Sequence, residues 1–592
     1  MPKAELKFRL EWENDIPKLA GVHPAYEWQN IPWKKFERIV YKLQKRIHQA
    51  SCREDVKLVR RLQKTLTRSF AAKCIAVRKV TQDNRGKNTA GIDGIKSLKP
   101  HQRMRLVEDL KLNGKSNPVR RVWIPKPGKT EKRPLGIPTI HDRALQALAK
   151  MALEPEWEAK FEDNSYGFRP GRSAHDAIEA IFLAIRYKPK YVLDADIAKC
   201  FDKINHQKLV EKINTYPTMS RQIKAWLKSG VVDFTNRVKE FIEIGEGTPQ
   251  GGVISPLLAN IALHGMEEFI KNKFPKISTW KNGERYNRNP AHLIRYADDF
   301  VILHEDLEVV TKCQQYIEEW LSTIGLELKP EKTRISHTLT TINGKAGFNF
   351  LGFEIRQFNT KSSGRCKGKK LGFVSIIRPC KESIKIHCKI IGDTIKYGKN
   401  LSQEKLIDQL NPIIRGWTNY YATVSSSLTF NRVDWTTFNQ LWAWAKRRHA
   451  KQGRKVAKDK YWKTKGKNRW TFMANEDNTL AQHIDVKVKR HTKVQGNRSP
   501  YDGDWLYWSV RKGKHPTTPK RIATLLQRQK GKCTGCGQYF KDRDVLEIDH
   551  IIPKFKGGNN SYNNLQLLHG HCHDTKTTED RGDFGQVHRG AV

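Results

Sequence analysis

The sequence predicts a multidomain α+β protein, and three observations lead there. The chain has 592 residues, enough for about three to five domains at roughly 150 residues each. Its period also changes along the way. Apolar residues recur at helical spacing from Trp33 to about Val80 and again after Lys381, whereas the stretch between carries short apolar runs bounded by turn residues. Ten cysteines are scattered except for a cluster near the C-terminus, whose spacing suits metal rather than disulfide. The expected division is a helical extension with a loop at 1–114, a strand-rich block at 115–365, a helical domain at 366–455, a basic linker at 456–520 and a metal-bearing domain at 521–592.

In the N-terminal extension, Ile39, Leu43 and Ile47, then Val59, Leu62 and Leu66, mark amphipathic helices among many bases, and Asn84 to Gly94 breaks the pattern. The first residues mix acids with bases and lack an apolar segment, so neither a signal peptide nor a transit peptide is expected. No run of about 18 apolar residues exists, so no spanning helix and no membrane partner are expected. Charge points to a polyanion: 109 Lys and Arg against 61 Asp and Glu give a formal +48. Binding of that kind works through counterion release and weakens steeply with salt.

Within the strand-rich block, Tyr296-Ala297-Asp298-Asp299 sits between Leu293-Ile294 and Phe300-Val301-Ile302-Leu303. That pattern reads as a hairpin with acid at its tip. Adjacent strand side chains face opposite ways, so two consecutive acids serve one purpose only where a tight turn brings both to a shared cation. Upstream, Tyr191-Val192-Leu193-Asp194-Ala195-Asp196 is a second apolar strand carrying acids on one face, followed by Phe201. Three carboxylates meeting at one point would need divalent cations to relieve their repulsion, the arrangement used for two-metal phosphoryl transfer.

These segments resemble the catalytic motifs of reverse transcriptases, and specifically of bacterial group II intron-encoded proteins; the match spans nearly the whole chain. The resemblance implies a right-hand-like fingers and palm, a helical thumb or maturase domain, and two Mg2+ ions held by Asp196, Asp298 and Asp299, with Asp194 the rival ligand. Phe201 would crowd a ribose 2′-hydroxyl and favour dNTPs. In the fingers-like run Arg121 to Pro138, Lys126 and Arg133 would neutralise the incoming triphosphate. The arginines of Ser165 to Ser173 would face template or primer phosphates, ahead of a helix starting near Ala174. Gly247 to Asn260 would let backbone approach the nucleotide, with Gln250 its contact. Lys332 would stand near the leaving pyrophosphate, and Phe350 to Phe353 would end the palm. Leu410 to Tyr421 resembles the maturase segment that grips intron RNA, its aromatics read first as core. Between Leu441 and Trp470, 12 Lys or Arg stand against the single acid Asp459, interleaved with Trp442, Trp444, Tyr461 and Trp462, which reads as phosphate binding.

At the C-terminus, Cys533-x2-Cys536 and His569-Gly570-His571-Cys572 supply a Cys3His set for a structural Zn2+, with His571 the rival to His569. Between and after the knuckles come Glu547-Ile548-Asp549-His550, Asn563-Asn564 and His573. That order resembles HNH nucleases with a ββα-metal fold. The resemblance implies His550 as general base, Asn564 orienting it, and Asp549 with His573 holding one Mg2+. Together the two resemblances imply splicing assistance to an intron RNA in a ribonucleoprotein, nicking of the second strand of target double-stranded DNA, and target-primed reverse transcription (retrohoming). They also imply a cytoplasmic, nucleoid-associated bacterial protein. The alternative is a splicing-only RNA-binding maturase with vestigial enzymatic domains.

Overall fold

The computed structural model describes residues 26–587 apart from 126–130, 234–239, 243–244, 249, 282–283, 343, 363, 367–368, 467, 517 and 542–543. The N-terminal periodicity becomes three helices, α1 (Trp33–Cys52), α2 (Val56–Arg68) and α3 (Phe70–Arg78). The Asp55 carboxylate caps α2 by accepting from the Leu58 amide at 2.9 Å. Val59, Leu62 and Leu66 are buried, one stripe at the spacing that puts residues on a single helix face. They pack with α4 (Ile140–Glu158), which is buried along nearly its whole length.

Ahead of α4, β1 (Val119–Pro125) and β2 (Lys132–Ile137) pair antiparallel, and the sheet continues through β4 (Val231–Asp233) and β5 (Glu240–Ile242) in the order β2-β1-β4-β5. Helix α5 (Ala174–Ile185) begins where the sequence places it. Four antiparallel strands form the central sheet: β3 (Tyr191–Asp196), β6 (His292–Tyr296), β7 (Asp299–His304) and β8 (Arg334–His337), ordered β8-β3-β7-β6. Strand alternation divides two cores. Leu193, Ala195, Phe300 and Ile302 pack with the N-terminal helices and α4. Val192, Val301 and Leu303 face α5 and a second sheet, β9 (Phe348–Phe350), β10 (Phe353–Asn359) and β11 (Phe373–Pro379).

The chain then becomes helical in α6 (Lys381–Tyr397), α7 (Gln403–Tyr421) and α8 (Ser427–Arg448). Tyr421 is buried and its hydroxyl donates to the Gly352 carbonyl at 3.1 Å, while Trp417 stacks on His387 at 4.4 Å and 4°. The Leu410 to Tyr421 aromatics therefore pack as core. A hairpin, β12 (Trp462–Lys465) with β13 (Asn468–Phe472), closes a third core against these helices.

The segment after this hairpin turns back over the central sheet. Val494 and Trp508 join the second core, and Trp508 belongs to α9 (Trp505–Lys514). One buried carboxylate ties the strap down. Asp176 Oδ2 accepts from the Ser173 amide and hydroxyl, both at 2.9 Å, completing a capping box for α5. Its Oδ1 accepts from the Val494 amide at 2.8 Å and pairs with Arg511 and His491. Burial opposes the charge, but the His491 bond and the Arg511 guanidinium hold the carboxyl well below its usual range.

The C-terminal unit comprises α10 (Lys520–Arg528), β14 (Leu546–His550), β15 (Leu565–His569) and α11 (Gly570–Val587). It seats on α1: the Gln538 amide donates to the Lys34 carbonyl at 2.6 Å, and Trp505 lies between Tyr41 and Tyr539 at 4.1 and 6.4 Å. Among the described residues no helix is long and apolar enough to cross a membrane.

Asp176→Ala leaves the Arg511 guanidinium, the buried His491 ring and the α5 N-terminus without their shared partner. It is expected to cost about 3–5 kcal/mol in denaturant unfolding. Because the folded carboxyl lies below its ordinary value of 3.8, the contribution is complete above that pH and is lost as pH falls further, so the variant and the parent should converge in stability under acid.

Candidate active sites

The paired acids occupy the predicted hairpin. Strands β3 and β7 are in register with Asp196 opposite Asp299, and Tyr296 also pairs with Asp299 across the turn. Directly opposed residues on antiparallel strands have Cα atoms about 4.5–5.5 Å apart and share a face, and Asp298 is adjacent in the chain. The three carboxylates predicted to meet are brought together. Asp194, one pleat earlier, pairs instead with Arg334 at 3.0 Å.

The turn itself is held from three directions. Ala297 has φ +59°, a conformation L-residues rarely adopt. The Arg295 side chain is fully buried. Its Nη1 donates to Asn260 Oδ1 and to the Ala297 carbonyl, both at 3.1 Å, and its Nη2 donates to Ser165 Oγ at 2.8 Å. Asn260 in turn donates to the Gly167 carbonyl at 2.8 Å. A Cβ on Gly167 would stand 2.3 Å from the Ala297 amide nitrogen, so only glycine lets this loop lie against the turn. Arg295 and Asn260 are positioning residues that sequence reasoning missed; an arginine inside the apolar run His292 to Tyr296 was the available signal.

Electrostatically the trio is under-compensated. Burial, then the Asp298 and Asp196 charges, push the Asp299 carboxyl up to about 7, and burial raises Asp298 as well. Lys332 forms an ion pair with Asp196, and Arg133 on β2 is close enough to favour ionised Asp298. Crowded carboxylates of this kind fit divalent cations. Phe201 is half-buried, edge-on to Phe168 at 6.1 Å. Gln250 approaches Asp202 at 3.5 Å, and Lys126 lies outside the described residues.

One expectation needs correction. Arg169 and Arg172 do not face solvent or an open groove. Arg169 is buried on Glu158 at 3.0 Å, and Arg172 donates to the Asp163 carbonyl at 2.6 Å and the Gly496 carbonyl at 3.1 Å; burying a guanidinium demands such partners. Two glycines of the Gly247 to Asn260 segment also lie hard against protein backbone. A Cβ on Gly247 would stand 2.5 Å from the Phe201 carbonyl oxygen, and one on Gly251 2.5 Å from that of Gly136.

Near the C-terminus, one ligand atom from each of Cys533, Cys536, His569 and Cys572 lies within 4.8 Å of the rest, the set a tetrahedral zinc ion takes. His569 Nδ1 is 3.3 Å from Cys536 Sγ, and its Nε2 meets Asp544 Oδ2 at 3.2 Å. A carboxylate on the far ring nitrogen orients an imidazole for a metal. His571 turns away to Glu37, 3.6 Å off.

Strands β14 and β15 pair with Asp549 opposite Gln566, which donates to Asp549 Oδ2 at 2.8 Å. His573 Nε2 is 3.8 Å from Asp549 Oδ1, and Lys576 reaches Asp549 Oδ2 at 3.2 Å. A carboxylate and an imidazole facing each other fit one divalent cation. Asn564 acts on the loop and not on the His550 ring: its amide donates to the Ile552 and Asn559 carbonyls at 3.0 and 2.9 Å and accepts from the Ile552 amide at 2.9 Å. The His550 ring meets Asn560 Oδ1 at 2.9 Å, a partner the sequence did not single out.

A strand sheet with clustered acids and a ββα unit with a Cys3His knuckle define a nucleic-acid enzyme with two centres, one polymerising and one cutting. Residues 124–355 match the reverse transcriptase (RNA-dependent DNA polymerase) family, 28–110 the N-terminal domain of reverse transcriptase, 385–462 the group II intron maturase-specific domain, and 533–579 HNH endonuclease. The chain is 30% identical over 430 residues to the group II intron-encoded protein LtrA of Lactococcus lactis, covering 60% of this chain and 69% of that one. It is 31% identical over 312 residues to protein YkfC of Escherichia coli, covering 47% and 78%. The chain belongs to the group II intron-encoded proteins, as a reverse transcriptase and maturase with an HNH endonuclease domain.

Gly167→Ala forces the loop off the turn and should lower primer extension by up to about a hundredfold, the loss expected when reacting groups shift by about 1 Å; extension kinetics check it. Purified protein should carry one zinc per chain by elemental analysis, and Cys536→Ser should lower that content and the melting temperature of the C-terminal domain.

Proposed function

We propose that this protein assists splicing of its own group II intron RNA, nicks the second strand of the target DNA and copies the intron from the exposed primer. The observation that carries the polymerase half is the register of Asp196 opposite Asp299 with Asp298 in the adjoining turn. Asp196, Asp298 and Asp299 would hold two Mg2+ ions, which when bound supply charge neutralisation at the attacking and leaving oxygens of the nucleotidyl transfer. The protein's share is positional. Arg295 and Gly167 keep the turn rigid, so the acids do not reorganise during the step. Arg133 would meet the triphosphate from the fingers sheet, and Lys332, paired with Asp196, would neutralise the departing pyrophosphate. Phe201, backed edge-on by Phe168, would form the wall that excludes a 2′-hydroxyl.

In the nuclease half, His550 would take a proton from the attacking water, with Asn560 at its other side fixing the ring. Asn564 holds the loop that follows His550, and Asp549 with His573 would seat one Mg2+ beside the scissile phosphate. The zinc knuckle ends in Cys572, so an ion held there would fix the residue after it, His573. The basic thumb and the N-terminal helices would grip intron RNA.

Asp298→Ala with Asp299→Ala should abolish DNA synthesis on an RNA template, a loss of at least about 1,000-fold, while intron splicing with the purified variant persists. His550→Ala should leave extension from a supplied primer intact and remove second-strand nicking. Polymerisation surviving the first pair, or nicking surviving the second, would refute the respective assignment.

A further inference from the structure

Helix α8 carries Trp435, Phe438 and Trp442 three and four residues apart, on a single face. The rings form an offset tier: Trp435 to Phe438 at 5.8 Å and 16°, Phe438 to Trp442 at 6.1 Å and 12°. Trp470 of β13 stands edge-on to Phe438 at 5.8 Å and to Trp442 at 5.9 Å. Buried Trp462 supports the base, 5.2 Å from Trp442. The other end is open. Trp435 is 65% exposed and Trp470 43%.

A tier of near-parallel rings rooted in the core through Phe438 and Trp442 and left open to water at Trp435 and Trp470 marks a contact surface. Charge selects the partner. The stretch from Leu441 to Trp470 holds 12 bases and one acid; the Lys458 ammonium lies 5.6 Å above the Trp470 ring, and Lys463 and Arg469 are exposed on the same hairpin. A polyanion with flat π-faces available for stacking is single-stranded nucleic acid, because a duplex hides its base faces.

We propose that Trp435, Phe438, Trp442 and Trp470 form a stacking platform for unpaired bases of single-stranded RNA, with the lysines and arginines of the β12–β13 hairpin tracking its phosphates. This rests on the RNA-binding reading of the thumb and narrows it: this face reads unpaired bases, while phosphate contacts alone would accept any RNA. Every base offers a π-face, so the platform is tolerant of sequence.

The test is anisotropy binding of the full chain to a ~12-nucleotide single-stranded RNA and to an abasic phosphodiester of the same length. Trp435→Ala with Trp470→Ala should weaken RNA binding by roughly tenfold or more, leave abasic binding and the salt slope unchanged, and erase the preference for the base-bearing strand. Trp435→Ala alone, at the most exposed ring, should give part of the loss with an unaltered melting temperature, and Trp435→Phe should restore most of it. Equal loss on both ligands, or a base preference untouched by these variants, overturns the platform. Primer extension by the parent chain is scored separately; its absence would sink the polymerase reading and leave the binding result standing.

Discussion

Everything in the central domain depends on forcing three carboxylates into one place and keeping them there. Burial and, after it, the like charges of Asp298 and Asp196 push the Asp299 carboxyl up to about 7. Strand pairing alone sets the register but leaves the turn free to relax. The buried Arg295 prevents this by joining Ser165, Asn260 and the Ala297 carbonyl, so that loops far apart in the chain meet behind the acids. Burying a guanidinium costs several kcal/mol in desolvation, offset here by the bonds of its two Nη atoms, which are the frame of the site.

The same logic recurs at the domain scale. The central sheet is packed on both faces, and the strap through Val494 and Trp508 completes the second core instead of hanging free. Asp176 joins that strap to α5, so His491 and Arg511 of the strap and the helix that packs on the sheet share one buried ionic centre. The C-terminal unit rests on α1 through Gln538 and the Tyr41–Trp505–Tyr539 contacts. The two candidate centres are therefore carried on a frame whose joints are built from residues outside either site.

Much of this was legible in the sequence because its signals are local. The Asp-Asp turn between two apolar runs became the β6–β7 hairpin, the break after Arg172 became the start of α5 at Ala174, and the Cys-x2-Cys and His-x2-Cys knuckles gathered with His569 inward. What the sequence hid was partnership across long separations. Arginine in a glycine-rich loop reads as a phosphate contact, yet Arg169 belongs to Glu158 at the end of α4 and Arg172 to the distant Gly496 carbonyl. Asn564 reads as a partner of His550, but the hairpin geometry sends its amide to Ile552 and leaves Asn560 at the ring. Arg295 was hidden by its apolar neighbours, since one charge in a buried strand carries no periodic signature.

The central claim, that Asp196, Asp298 and Asp299 together hold the divalent ions of the polymerase site, is tested most directly by counting those ions. Mn2+ binding can be followed by electron paramagnetic resonance on the full chain with annealed primer–template and a non-reactive dNTP analogue. The account predicts that a variant with all three acids changed to Asn loses up to two bound ions while the count attributable to Asp549 and His573 stays. An unchanged ion count in that variant would contradict it.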